Sequence, residues 1–218
     1  FLFLMMVQKY LTCMIIQVLN NMTNHKEFLT NYLDEQSSCL RELSKKTSLL
    51  ESIIEKLLDA RSSDSLVITI GNGGSASTAS HFTADLLKTA IMKDQKRFQS
   101  LCLTDNIPVM TAWSNDVSYD EIFKEQLKNF IKKNDVLVAF SGSGKSKNVI
   151  KALELAKKSG AYLIGFTGMS GGDFEKICDI CIKVPSTNML TIESFHLMLC
   201  HVITSCIRET GTPEFSYE

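Results

Sequence analysis

The chain has 218 residues, 44% of them hydrophobic and 22% charged, with a formal net charge of −1. This is enough for one large globular domain with a buried core, and it excludes the basic footprint of a nucleic-acid binder. Three prolines leave little room for long linkers.

Residues Phe1 to Leu19 are apolar but broken by Gln8, Lys9, Tyr10 and Gln17. The stretch falls short of the roughly 20 apolar residues of a membrane span, so no membrane partner is expected. It also lacks the basic start and small-residue cleavage site of a secretory signal. Met22 is the more natural start, so residues 1–21 read as an extension outside the native chain. A helical segment over 22–62 and one domain over 63–210 follow.

From Asn24 to Arg61, apolar residues such as Phe28, Leu29, Leu33, Leu40, Leu43, Leu50, Ile53 and Leu57 recur at three- and four-residue spacing. The pattern predicts one bent helix or a helical hairpin. Its apolar stripe needs a partner surface, and self-association supplies one.

Beyond that the chain alternates. Strands are predicted near 65–70, 98–103, 135–140, 161–166 and 180–184. Helices are predicted near 75–88, 106–114, 118–131, 146–158, 172–178 and 191–209. Alternation of this kind implies an α/β fold with a mainly parallel five-stranded sheet covered on both faces. Ligands of such folds sit at the carboxyl ends of the strands.

Two Gly/Ser loops fall at those ends. Gly71-Asn72-Gly73-Gly74-Ser75 joins the first strand to a helix, where unpaired N–H groups and the dipole favour an anion. Ser141-Gly142-Ser143-Gly144-Lys145-Ser146 follows the third strand. A nucleotide P-loop needs glycine five residues before Gly144, and Ala139 stands there, which argues against a nucleotide hydrolase. Three serines on a short turn suit a single phosphate; the structural alternative is a serine cap at Ser146 on a polar turn.

His81 and Asp85 are spaced i,i+4 behind the first loop, as an acid–base pair, as metal ligands or as a surface pair. Asn115-Asp116 reads as a helix cap or a sugar-hydroxyl contact. The last helix carries Glu193, His196 and His201. Glu193 and His201, eight residues apart, are separated by about 12 Å of helix axis. They converge on one ligand only if Glu193 precedes the helix proper or if they serve different subunits' sites.

Seven cysteines, an odd number scattered over predicted helices and strands, point to reduced thiols and a cytoplasmic setting. Cys178-Asp179-Ile180-Cys181 has no second pair to complete a zinc site and reads as packing.

Taken in order, Gly71-Asn72-Gly73-Gly74-Ser75, His81-Phe82-x-x-Asp85-Leu86, Ser114-Asn115-Asp116, Ser141-x-Ser143-Gly144-x-Ser146, Thr167-Gly168-x-x-Gly171-Gly172, Val184-Pro185-Ser186 and Ile192-Glu193-x-x-His196-x-x-x-x-His201 resemble the sugar isomerase (SIS) domain, and within it the phosphoheptose isomerases. The resemblance runs from about Met22 to Glu209. It implies an SIS-type, flavodoxin-like three-layer sandwich and a homotetramer with sites at subunit boundaries. It implies conversion of sedoheptulose 7-phosphate to D-glycero-D-manno-heptose 7-phosphate for bacterial surface heptose.

Matching positions for substrate are Asn72, Gly73, Gly74, Ser75, His81, Asp85, Asn115, Asp116, Ser141, Gly142, Ser143, Ser146 and Glu193. The resemblance makes His81, Asp85, Glu193 and His201 the acid/base and zinc-ligand positions. Asp85 or Glu193 is the expected base and His201 the partner acid, with a metal or His81 on the oxyanion. The family has Glu at 85 and Gln at 193, and frequently Thr at 142 and Asn at 145. A rival reading is a non-catalytic SIS regulator that binds the replication initiator; retention of His81, Asp85 and His201 argues against it.

Overall fold

All five predicted strands form: β1 (Leu66–Gly71), β2 (Gln99–Cys102), β3 (Val136–Phe140), β4 (Tyr162–Thr167) and β5 (Ile180–Lys183). In this computed structural model, which describes residues 2–216, they make one wholly parallel sheet in the order β2-β1-β3-β4-β5. The side chains of 2–4 and 19–23 lie outside the described residues, and the expected start at Met22 falls among them.

The chain divides into two units, Phe1–Ser44 and Lys45–Glu218. The first is a single helix, α1 (Leu2–Leu43), with Tyr10, Leu11, Phe28, Leu29, Leu33 and Leu40 exposed. The helical run predicted through Arg61 is interrupted by a 3-10 turn at Ser44–Lys46, where the Ser44 hydroxyl donates to the Arg41 carbonyl at 2.8 Å. A serine bonded back to its own helix competes with the backbone ladder and ends it.

The second unit begins with α2 (Thr47–Ser62) and continues with α3 (Gly74–Ala84), α4 (Ile107–Asp116), α5 (Ile122–Leu127), α6 (Lys147–Lys158), α7 (Phe174–Ile177) and α8 (Met189–Arg208). Helices α2, α3 and α8 cover one face of the sheet; α5, α6 and α7 cover the other. Strand side chains alternate between faces. Ile68, Ile70, Leu137, Ala139 and Leu163 join the core cluster with α5 and α6. On the opposite face Phe140 stacks on Phe166 at 4.9 Å, with Phe82 of α3 and His196 of α8 against them. Helix α8 has the length and apolar content of a membrane span, but half of that window is buried in this packing.

Two predicted helices differ from expectation. Residues 75–88 do not stay α-helical: α3 stops at Ala84 and a π-helical turn runs over Asp85–Thr89. The helix expected over 118–131 shortens to α5, entered through a 3-10 turn at Tyr119–Glu121. Asn129 closes it by donating to the carbonyls of Glu125 and Gln126.

The strand order fixes where a ligand goes. β1 lies between β2 and β3, so the chain reverses its direction of travel across the sheet at the β1/β3 boundary. Gly71 and Phe140 are register partners there. The two Gly/Ser loops therefore stand side by side at the carboxyl edge, at the crevice where open α/β sheets bind ligands.

Candidate active site

Gly73 caps α3 with φ of 56°, a left-handed conformation that glycine adopts without strain. A side chain at Gly74 would displace the Glu193 carboxylate: a Cβ there would lie 2.8 Å from Glu193 Oε1. Glu193 thus rests its carboxylate on the first residue of α3, where the positive end of the helix dipole offsets its charge.

The loop after β3 wraps the facing side. Ser141 is buried, and its Oγ lies 3.1 Å from Ser146 Oγ and 3.5 Å from Ser143 Oγ. Ser146 occupies the cap position of α6 but makes no side-chain cap bond. Its hydroxyl turns toward Ser141 instead. Asn72, Ser75, Ser141, Gly142, Ser143, Ser146 and Glu193 line one cavity of about 230 Å³, together with Phe140 and Met189.

His81, Asp85 and His201 form a second cluster, with all ligand atoms within 4.8 Å of one another. The two Nε2 atoms are 2.9 Å apart, and Asp85 Oδ2 lies 3.7 Å from that of His81 and 3.9 Å from that of His201. Both imidazoles are half exposed, whereas Asp85 Oδ2 is buried without a hydrogen-bond partner. A buried carboxylate oxygen with no donor is costly. A cation seated among the three groups removes that cost. Tetrahedral zinc with ligands at 2.0–2.1 Å spaces its donors about 3.3 Å apart, in the middle of the observed separations. The residues therefore fit a divalent metal.

The two clusters lie at opposite ends of one helix pair. Gly74 meets Glu193 and His81 meets His201, so α3 and α8 run side by side in the same direction. The spacing along them is about 10–12 Å. Glu193 lies inside α8, so the first route to its convergence with His201 is closed. The metal-type group holds His81, Asp85 and His201 without Glu193.

Asn115 and Asp116 end α4, exposed, with Asn115 Nδ2 donating to Asp116 Oδ1 at 2.8 Å; they do not line the 230 Å³ cavity.

Several residues here were not singled out from sequence. Asn148 is 2% exposed and forms a reciprocal amide pair with Asn72, 2.9 Å each way. The Tyr119 hydroxyl donates to Asn72 Oδ1 at 2.8 Å. Together they fix the Asn72 amide. A polar residue on the buried face of α6 was the available signal for Asn148. Met189 had none.

The model of the family described as SIS domain matches residues 31–168. A probable phosphoheptose isomerase of Thermoplasma acidophilum is 38% identical over 82% of this chain and 96% of its own length. A phosphoheptose isomerase of Helicobacter pylori is 32% identical over 84% of this chain and 92% of its own. The solved structure of phosphoheptose isomerase GmhA from Neisseria gonorrhoeae superposes with a TM-score of 0.78 at 28% identity, covering 84% of this chain and 98% of that one. With this sheet order, paired Gly/Ser loops and a shared fold over most of its length, the chain belongs to the phosphoheptose isomerase family of SIS-domain proteins.

Proposed function

We propose that this protein is an aldose–ketose isomerase that converts sedoheptulose 7-phosphate to D-glycero-D-manno-heptose 7-phosphate through an enediol. The observation that carries the reading is the His81–Asp85–His201 cluster, about 10–12 Å along the α3/α8 pair from the serine-lined cavity. The hydroxyls of Ser141, Ser143 and Ser146 hold the phosphate. At about 1.2 Å per bond, the eight bonds from phosphorus to C1 of an extended ketose reach about 10 Å, close to the separation of the two clusters along the helix pair.

Proton transfer needs an acid and a base on neighbouring carbons. The pair Asp85 and His201 meets that need. Asp85 Oδ2 faces the imidazoles, and Oδ1 takes the proton from the carbon beside the carbonyl. His201 Nε2 exchanges the proton on the oxygen when it is free of metal; when it holds zinc, that role on the oxyanion would pass to the metal. Glu193, at the phosphate end, accepts hydrogen bonds from sugar hydroxyls. Zinc held by His81, Asp85 and His201 would polarise the carbonyl when bound. The convergence of these three side chains leaves the non-catalytic regulator reading unfavoured.

We further assign a homotetramer, supported by the exposed apolar residues Phe28, Leu29, Leu33 and Leu40 of α1, and a cytoplasmic setting, supported by seven free cysteines.

The test is turnover of sedoheptulose 7-phosphate by purified protein, with and without added zinc. Asp85→Ala and His201→Ala are expected to lose about 10²–10⁴-fold in kcat. No turnover by the wild-type protein under either condition overturns the assignment.

A further inference from the structure

We propose that Met189 is a specificity-determining residue that closes the phosphate end of the cavity, doing from α8 what a side chain at position 142 would do from the loop. The inference rests on the site being a sugar-phosphate site.

Position 142 is pinned from behind. The Gly168 amide donates to the Gly142 carbonyl at 2.9 Å, and a Cβ on Gly168 would lie 2.8 Å from that same oxygen. The loop has no slack on that side. In front, a Cβ on Gly142 would collide with Met189 Sδ and lie 3.1 Å from its Cε. The space above this peptide is therefore filled by a thioether from another element.

The start of α8 fixes where that thioether comes from. Asn188 caps the helix through Leu190 N at 3.1 Å, so the backbone of Met189 is held while its side chain extends over the cavity. Met189 and Glu193 are one turn apart, so they share a helix face. Both line the cavity with Ser141, Ser143 and Ser146. Met189 is 46% exposed, so it forms the outer wall between the serine hydroxyls and solvent. Methionine is flexible and apolar, and it fills irregular gaps against a peptide surface. With no hydrogen-bond donor and only a weakly accepting sulfur, it selects mainly by shape, limiting how far the phosphate end can move outward. That sets which chain length places the carbonyl at the His81–Asp85–His201 end.

The experiment measures binding by calorimetry and turnover for ribulose 5-phosphate, fructose 6-phosphate and sedoheptulose 7-phosphate. The proteins are wild type, Met189→Leu, Met189→Ala, Gly142→Thr and Gly142→Thr/Met189→Ala, each checked for folding by thermal melt. Met189→Ala is expected to lose about tenfold in selectivity between the seven- and six-carbon ketoses, and Met189→Leu to keep most of it. Gly142→Thr is expected to weaken binding by evicting Met189. The double variant should bind better than the sum of the single effects allows. Unchanged selectivity in Met189→Ala, or additive effects in the double variant, overturns the inference while wild-type turnover leaves the isomerase reading standing. Selective binding without turnover in the wild type, lost in Met189→Ala, does the reverse. Absence of binding to all three ketoses overturns both.

Discussion

His81 and His201, 120 residues apart in sequence, place their Nε2 atoms 2.9 Å from each other with ring planes at 63°. The contact exists because α3 and α8 lie side by side on one face of the sheet. Beside it, Asp85 starts the π-helical turn that ends α3. Such turns interrupt the regular ladder and recur at functional sites. The consequence is a three-residue group able to hold a cation, about 10–12 Å along the helix pair from the serine-lined cavity.

Metal content separates the two carboxylates. Asp85→Asn is expected to bring bound zinc close to zero, because it removes the only anionic member of the group. Glu193→Gln is expected to leave zinc content at the wild-type level, since Glu193 lies at the other end of the helix pair. Mass-spectrometric metal analysis of protein purified with zinc reads both. Equal zinc loss in the two variants would place Glu193 in the metal site.

Gly74→Ala tests the contact between α3 and Glu193. An added methyl group displaces the end of a flexible side chain and strains no backbone, so stability should change by less than about 1 kcal/mol. The carboxylate, however, moves by about an ångström, and kcat/KM should fall about 10²-fold. Steady-state kinetics alongside a urea melt distinguish this from a general loss of folding.

His196 makes stability depend on pH. It is fully buried against Phe140 and Phe166, and burial pushes its pKa down to about 4 from an ordinary value of 6.5. The folded state therefore binds fewer protons than the unfolded state between these values. The contribution is fully present above pH 6.5 and is lost as pH falls toward 4, by up to about 3 kcal/mol. Urea unfolding at pH 7, 5.5 and 4.5 should show this slope, and His196→Gln should flatten it. An identical slope in the variant would assign the acid sensitivity to other groups.

Thiol reactivity should follow burial. Burial, reinforced by the neighbouring Cys181, pushes the Cys178 thiol far up, and burial pushes Cys181 up to about 11. Neither is a thiolate at neutral pH, so neither is poised for redox or metal chemistry. Iodoacetamide at pH 8 should label exposed Cys206 well before either of them. Rapid labelling of Cys178 would refute the packing role.

The local pieces were legible in the residues. Apolar runs specify the three central strands β1, β3 and β4, which are buried on both faces of a parallel sheet, whereas the edge strands β2 and β5 are only partly buried. Gly73 is required by a left-handed backbone angle, and the serine loop is legible as a short anion turn because Ala139 rules out a longer one. The interruption of α3 at Asp85 was not legible, since no glycine or proline marks it.

Tertiary structure decided which of these pieces work together. The ordered motifs placed Asp85 and Glu193 together with the histidines; within one chain the parallel run of α3 and α8 brings Asp85 to them and leaves Glu193 about two helical turns from His201. Spacing could not show Asn148 and Tyr119 orienting Asn72, or Met189 occupying the place of a side chain on Gly142. These are contacts between elements far apart in the chain, and they follow from strand order and helix packing rather than from any local propensity. Periodicity encodes which face of an element is buried, but the partner on that face is chosen only when the layers close.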